Sequence, residues 1–194
     1  RSALTAPYSS TLSARWCSSV TSSCSSGTLL NGRGSLGPES NAPNTINGSC
    51  IDGNAGTYMS SESLEYLSVA TLDGTPMAAG KQVQITAAIY VSSAYWDSLD
   101  LYYAANANSP SWVYITRLYG SRTGYQTVST PYTLPTGSLQ AIRGRFAYRS
   151  SSPSSCAGLS TSYTDHDDLV FAVGAAPRDT TPPSVPLTSP TARS

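Results

Sequence analysis

Val83-Gln84-Ile85-Thr86-Ala87-Ala88-Ile89-Tyr90-Val91 alternates apolar and polar side chains almost without a break. Successive side chains of an extended chain point to opposite faces, so a period of two describes a strand with one face in a core. Leu64-Glu65-Tyr66-Leu67-Ser68-Val69 precedes it and runs toward the Asp73-Gly74 turn. Further strands are predicted over 2–12, 99–104, 112–118, 126–134, 141–148 and 168–173. Gly80, Asn108-Ser109-Pro110, Gly120, Pro135-Thr136-Gly137 and Ser152-Pro153 punctuate them with turn chemistry. No stretch carries a sustained apolar stripe at the helical period. Short strands at this spacing predict an all-β chain, an antiparallel β-sandwich of the jelly-roll kind.

The composition narrows the function. Of 194 residues only 11% are charged, against about 25% in an average soluble domain. Ser, Thr, Gly, Asn and Tyr fill the difference, and the thirteen Tyr far outnumber the two Phe. Tyr carries a polar tip that tolerates water, so this is an aromatic choice suited to a surface. Eleven basic side chains balance eleven acidic ones. A neutral chain lacks the basic field that nucleic acid or an anionic membrane surface requires. No apolar run approaches the roughly 18 residues of a membrane-spanning helix.

Four cysteines and a single histidine, with no Cys-x-x-Cys pair, give little support to zinc. Four cysteines allow about three pairings. Cys17 and Cys24 bracket a short polar stretch and read as a local bridge, which leaves Cys50 and Cys156 to join distant parts of the chain. Disulfides imply an oxidising compartment, and the scarcity of Lys and Glu beside so much Ser and Thr fits a secreted, extracellular protein.

The stretch Asn47-Gly48-Ser49-Cys50-Ile51-Asp52-Gly53-Asn54-Ala55-Gly56-Thr57-Tyr58 is rich in oxygen donors. Asp52 offers a carboxylate, Asn54 a carbonyl and Thr57 a hydroxyl, while Gly53 and Gly56 permit a tight backbone. Calcium takes about six to eight oxygens, many from such turns. Asp165, Asp167 and Asp168, read as lying at the entrance to the last strand, are the source of a further carboxylate. An acidic cluster beside Leu169-Val170-Phe171 is unfavourable unless neutralised or solvated.

Asp52-Gly53-Asn54-x-x-Thr57-Tyr58 resembles the Asp-Gly-Asn-x-x-Thr-Trp motif of discoidin-type, galactose-binding-like jelly rolls, which include many bacterial carbohydrate-binding modules. Leu101-Tyr102-Tyr103-Ala104 through Trp112, Gln140-Ala141-Ile142-Arg143-Gly144-Arg145-Phe146 and Asp168-Leu169-Val170-Phe171 resemble later strands of that family in the same order. The resemblance covers residues 45–173 and implies a structural Ca2+ held by Asp52, Asn54, Thr57 and Asp168. Tyr58 stands where the family has Trp, and Asp168 where it has Glu. The Gly-Arg-Gly, Pro-Asn-Thr-Ile and Asp-His-Asp-Asp-Leu phrases are similar to those of non-catalytic domains appended to secreted bacterial hydrolases, proteases in particular. Residues 1–174 are thus expected to form the module. Residues 175–194, rich in Pro, Thr and Ser, read as a linker, because Asp179-Thr180-Thr181-Pro182-Pro183 resembles the start of bacterial immunoglobulin-like repeats.

Exposed aromatic rings stack on the apolar faces of sugars while Asn, Asp and Arg bond the hydroxyls. Tyr95 and Trp96 in one predicted loop, and Tyr119, Arg122 and Tyr125 in another, are the candidate ligand contacts; Trp112 reads as packing. The expected partner is a polysaccharide or glycoconjugate, the alternative being a fibrous protein such as collagen, bound by a monomeric module of a larger chain. An enzyme is not expected. His166 lies beside Asp165 and Asp167, but there is no Gly-x-Ser-x-Gly elbow or His-Glu-x-x-His helix, and no spacing pairs Glu39, Glu62 or Glu65 for glycoside hydrolysis.

Overall fold

The alternating segment becomes a ten-residue strand whose Val83, Ile85, Ala87, Ile89 and Val91 are buried. The computed structural model describes residues 4–188. In chain order the strands are β1 (Leu4–Thr5), β2 (Tyr8–Ser9), β3 (Ala14–Cys17), β4 (Ser23–Ser25), β5 (Ser63–Thr71), β6 (Gln82–Val91), β7 (Asp97–Ala104), β8 (Val113–Leu118), β9 (Gly124–Thr133), β10 (Leu139–Tyr148) and β11 (Asp165–Ala172). They form a five-stranded sheet, β1-β4-β5-β6-β9, and a six-stranded sheet, β2-β3-β11-β10-β7-β8. Apart from the parallel pairs β1/β4 and β3/β11, neighbouring strands run antiparallel.

Leu64, Leu67 and Val69 of β5 and the inward residues of β6 meet Leu99, Leu101, Ile142, Phe146, Leu169 and Phe171 of the other sheet in one apolar core. Gly144 sits opposite Leu64, where an added Cβ would come within 2.6 Å of the leucine side chain. A smaller cluster, Ala14, Ile46, Ala104, Ala141 and Val170, covers the outer face of the six-stranded sheet, with Trp112 packed against it as expected.

Both disulfides have the expected partners, Cys17–Cys24 and Cys50–Cys156. The first spans only seven residues, yet β3 and β4 belong to different sheets, so it also ties the two layers together. These bridges suit an oxidising environment. Among the described residues no helix is long and apolar enough to cross a membrane.

Two boundaries differ from the sequence reading, and the short strands β3 and β4 were not anticipated. Residues 2 and 3 of the first expected strand lie outside the described residues, and the remainder divides into β1 and β2, which join different sheets. Pro7, which has no N–H to give a ladder, separates them. The last strand begins at Asp165 rather than at 168, so the acidic run is inside the sheet. Beyond Gly174, residues 175–188 carry no strand and are exposed; the rest of the expected linker lies outside the described residues.

Candidate functional site

Between β4 and β5 the chain makes a long excursion over one end of the sandwich, and Arg33 organises it. Its buried guanidinium donates to the backbone carbonyls of Gly53, Glu62 and Ala55. Gly53 and Asn54 donate in turn to Thr164 and Ser160, 2.8 Å in each case. The Asp52-Gly53-Asn54 turn therefore runs against the segment that leads into β11. Glycine is required at its centre, because a Cβ on Gly53 would lie 1.9 Å from the Ser162 carbonyl oxygen.

Alternation along β11 then sorts the acidic residues. Asp165 and Asp167 share the inward face with Leu169 and Phe171, whereas His166 and Asp168 share the outward face with Val170. On the inward side, carboxylate oxygens of Glu39, Asp52 and Asp165 lie within 4.8 Å of one another. Asp52 accepts from the Gly34 and His166 amides, and Asp165 accepts from the Leu64 amide at 2.6 Å. Asp165 Oδ1, Glu39 Oε2 and both oxygens of Asp167 have no hydrogen-bond partner among the described residues. Burial, followed by the neighbouring carboxylates, holds the Asp52, Asp165 and Asp167 carboxyls well above the ordinary aspartate range. Burial pushes Glu39 up to about 7. Like charges gathered in a water-poor site resist ionisation together unless a cation or protons neutralise them.

The four residues expected to hold an ion are divided. Only Asp52 belongs to this cluster. Asn54 Oδ1 accepts from the backbone and hydroxyl of Ser35. Thr57 is exposed, in a turn closed by Ser61. Asp168 faces the opposite side of the sheet, where both oxygens accept from Arg143 at 2.7 and 2.8 Å. The carboxylates that gather with Asp52 are those of Glu39 and Asp165. Asp165 stood in the right acidic run, but Glu39 lies in a Gly/Pro/Ser-rich stretch with no local signal.

Asp168 belongs to an ionic network on the outward face. Arg143 pairs with Asp168 and stacks 4.1 Å above the Trp112 ring centre; Asp100 accepts from Arg117 and Arg145. The Cys50–Cys156 bridge pins a loop above these arginines, and Ser155 and Ala157 supply it with carbonyl acceptors. His166 is sealed on the same face with Nδ1 2.9 Å from the Ile51 carbonyl. Burial, then the nearby Arg145 and Arg143, drops its pKa to about 3. Its Nε2 is buried with no hydrogen-bond partner among the described residues.

At the rim, where β6 gives way to β7, four aromatic rings follow one another. Tyr95 meets Trp96 edge-on at 4.6 Å, Trp96 meets Tyr148 at 6.5 Å, and Tyr148 meets Tyr163 at 5.9 Å. Arg149 lies 4.3 Å from the Trp96 ring centre. Trp96 divides two depressions. One, about 330 Å³, is lined by Tyr95, Trp96, Tyr119 and Arg149. The other, about 350 Å³, is lined by Trp96, Tyr148, Tyr163, Glu62, Ser92 and Ser93. Of the expected ligand contacts, Tyr95 and Trp96 line these depressions. Arg122 instead folds back onto the Tyr125 carbonyl at 3.1 Å, and both residues are exposed away from them. Tyr148, Arg149, Tyr163 and Glu62 were not anticipated, since a strand terminus and a Ser-rich loop carry no recognisable motif. No family model and no curated protein matches the chain.

Proposed function

We propose that this chain is a non-catalytic, calcium-stabilised accessory module of a secreted bacterial enzyme, and that it holds the enzyme on a polysaccharide or glycoconjugate. The observation that carries the reading is the row Tyr95–Trp96–Tyr148–Tyr163 with its two flanking depressions. Tyr95 is 81% and Trp96 41% exposed, which leaves ring surface free to stack on sugar C–H faces. Arg149 and the serines around the rings supply hydrogen bonds to hydroxyls. Such contacts are weak singly, yet tethering raises local concentration enough for weak affinity to matter. The burial of His166, the only histidine, supports a binding role over a Ser-His-Asp hydrolase.

Calcium fits the inward carboxylate cluster better than the set expected from the sequence. Asp165 Oδ1 and Glu39 Oε2 are partnerless oxygens beside Asp52, and hard oxygen donors are what calcium prefers. Glu39, Asp52 and Asp165 would hold the ion, which would neutralise the cluster and fix the excursion around Arg33 against β11. Affinity electrophoresis and titration calorimetry against a panel of polysaccharides test the binding role. Retention by at least one polysaccharide, lost in Trp96→Ala, is expected. Silence across the panel, with capture on fibrous protein matrices instead, would replace this reading by a protein-anchoring one.

A further inference from the structure

We infer that the depression bounded by Trp96, Tyr148, Tyr163 and Glu62 takes a protonated amino group carried by the saccharide, so that the module selects a polysaccharide containing free 2-amino sugars. The inference rests on the saccharide-binding reading and assigns its chemistry.

Glu62 is 3% exposed and lines this depression, and its Oε1 has no hydrogen-bond partner among the described residues. A buried carboxylate without a partner is unfavourable, and a cation is the group that offsets it best. The cation already present nearby, Arg33, lowers the Glu62 pKa only through space and makes no direct contact with the carboxylate. Arg33 donates to the Glu62 backbone carbonyl at 2.9 Å and to the carbonyls of Gly53 and Ala55, and none of the ion pairs formed among the described residues includes Glu62. Behind Glu62 lies Asp97, fully buried, with Oδ2 accepting from the Ser92 and Ser93 amides and Oδ1 partnerless. Burial and then the Asp97 charge raise the Glu62 carboxyl to about 7, against its own backbone amide and Arg33, which lower it, so a cation entering the depression would favour the ionised form.

The walls point the same way. Aromatic faces attract cations, most of all where water is limited. The protein's own Arg149 lies 4.3 Å from the ring centre of Trp96 and 5.1 Å from that of Tyr148, so these rings already accept a positive charge. A neutral hydroxyl would satisfy one oxygen of Glu62 but leave its charge uncompensated. An ammonium supplies charge and donors together. A pyranose bearing that ammonium can also stack on Trp96, which borders both depressions.

The test titrates the calcium-loaded protein at pH 7 with tetramers of glucosamine and of N-acetylglucosamine, which differ only in the charge and acylation of nitrogen. The glucosamine tetramer is expected to bind at least tenfold more tightly. Glu62→Gln, which keeps the side-chain shape, is expected to erase that preference with a melting temperature no lower than the native one, whereas Trp96→Ala weakens both tetramers. Equal binding of the two tetramers by the native protein overturns the inference while leaving saccharide binding intact, as does a preference that survives Glu62→Gln. Binding of neither tetramer, together with silence on the wider polysaccharide panel, overturns the saccharide-binding reading itself. A lysine peptide bound as tightly as the glucosamine tetramer would overturn the saccharide assignment in favour of a protein ligand.

Discussion

Asp168 and Asp165 lie within one turnless strand, β11, and their surroundings are opposite in kind. Asp168 projects outward and has both oxygens filled by Arg143, its register partner on β10, with the Ile46 amide adding a third donor. Asp100 on β7 is treated the same way by Arg117 and Arg145. Asp165 and Asp167 project inward, where they meet Glu39 and Asp52 and make no ion pair among the described residues. Arg33 acts on Asp165 only through space, and Arg15 faces Asp167 and Glu39 from β3 but donates to the Ser40 carbonyl at 3.1 Å. One sheet thus carries a directly paired ionic network on one face and an acidic cluster without direct ion pairs on the other. Strand alternation, not sequence proximity, decides which acid gets which environment. The paired network secures the fold; the cluster is one whose mutual repulsion protons or a bound cation would relieve.

The sharpest way to break this contrast is to remove one partner from the outward network. Arg143→Ala leaves a buried Asp168 charge without its partner, and the loss is expected to be about 3–5 kcal/mol by urea unfolding. The matching change on the inward face should behave differently. Asp165→Asn removes one of several repelling charges, so the calcium-free protein is expected to be at least as stable as the native one. The native protein should gain about 2.7 kcal/mol at calcium a hundredfold above its dissociation constant, and the variant should lose that gain. If Asp165→Asn instead destabilises the calcium-free protein as much as Arg143→Ala does, the two faces are not different in kind.

The smallest effect is a dependence on pH. The carboxyl of Glu39 is raised to about 7 in the folded state by burial. A raised folded pKa means that the folded protein holds the proton more tightly than the unfolded chain. The associated stability is complete below the unfolded value and is lost as pH rises through the folded one. Between pH 6.5 and 8 the calcium-free protein should therefore lose about 1 kcal/mol through this group, read as a falling melting temperature. His166 acts in the opposite sense at the lower edge of this window. Its depressed pKa lowers stability as pH falls through the unfolded histidine value of about 6.5, by roughly 0.4 kcal/mol at pH 6.5 itself. Glu39→Gln should lessen the decline, as should saturating calcium in the native protein, while Glu62, which burial also raises to about 7, keeps its own share of the slope. A slope unchanged by either would place the titration elsewhere.

Sequence alone marked strands β5 to β11 and favoured one pairing of the four cysteines, whereas β3 and β4 carried no signal in the Ser/Thr-rich stretch around Cys17 and Cys24. Alternation at 83–91 and the turn residues between segments depend only on neighbours along the chain, and β5 to β10 lie close to where those signals put them. Cysteine spacing likewise named both disulfides. The oxygen-rich Asp52 turn and the acidic run at 165–168 were also legible as candidates, because their residue types are unusual in so weakly charged a chain. Which members of those stretches act together was decided only by the tertiary structure. Extending β11 back to Asp165 puts the whole acidic run under strand alternation, which gives Asp168 to Arg143 on one face and Asp165 to Asp52 and Glu39 on the other. Glu39 enters through a long excursion that has no periodicity, and Glu62 gains its meaning from Trp96, Tyr148 and Tyr163, far from it in the chain. Local sequence fixes backbone direction, but a site is made of side chains that converge from different segments, and that convergence depends on register and on the packing of one sheet against the other.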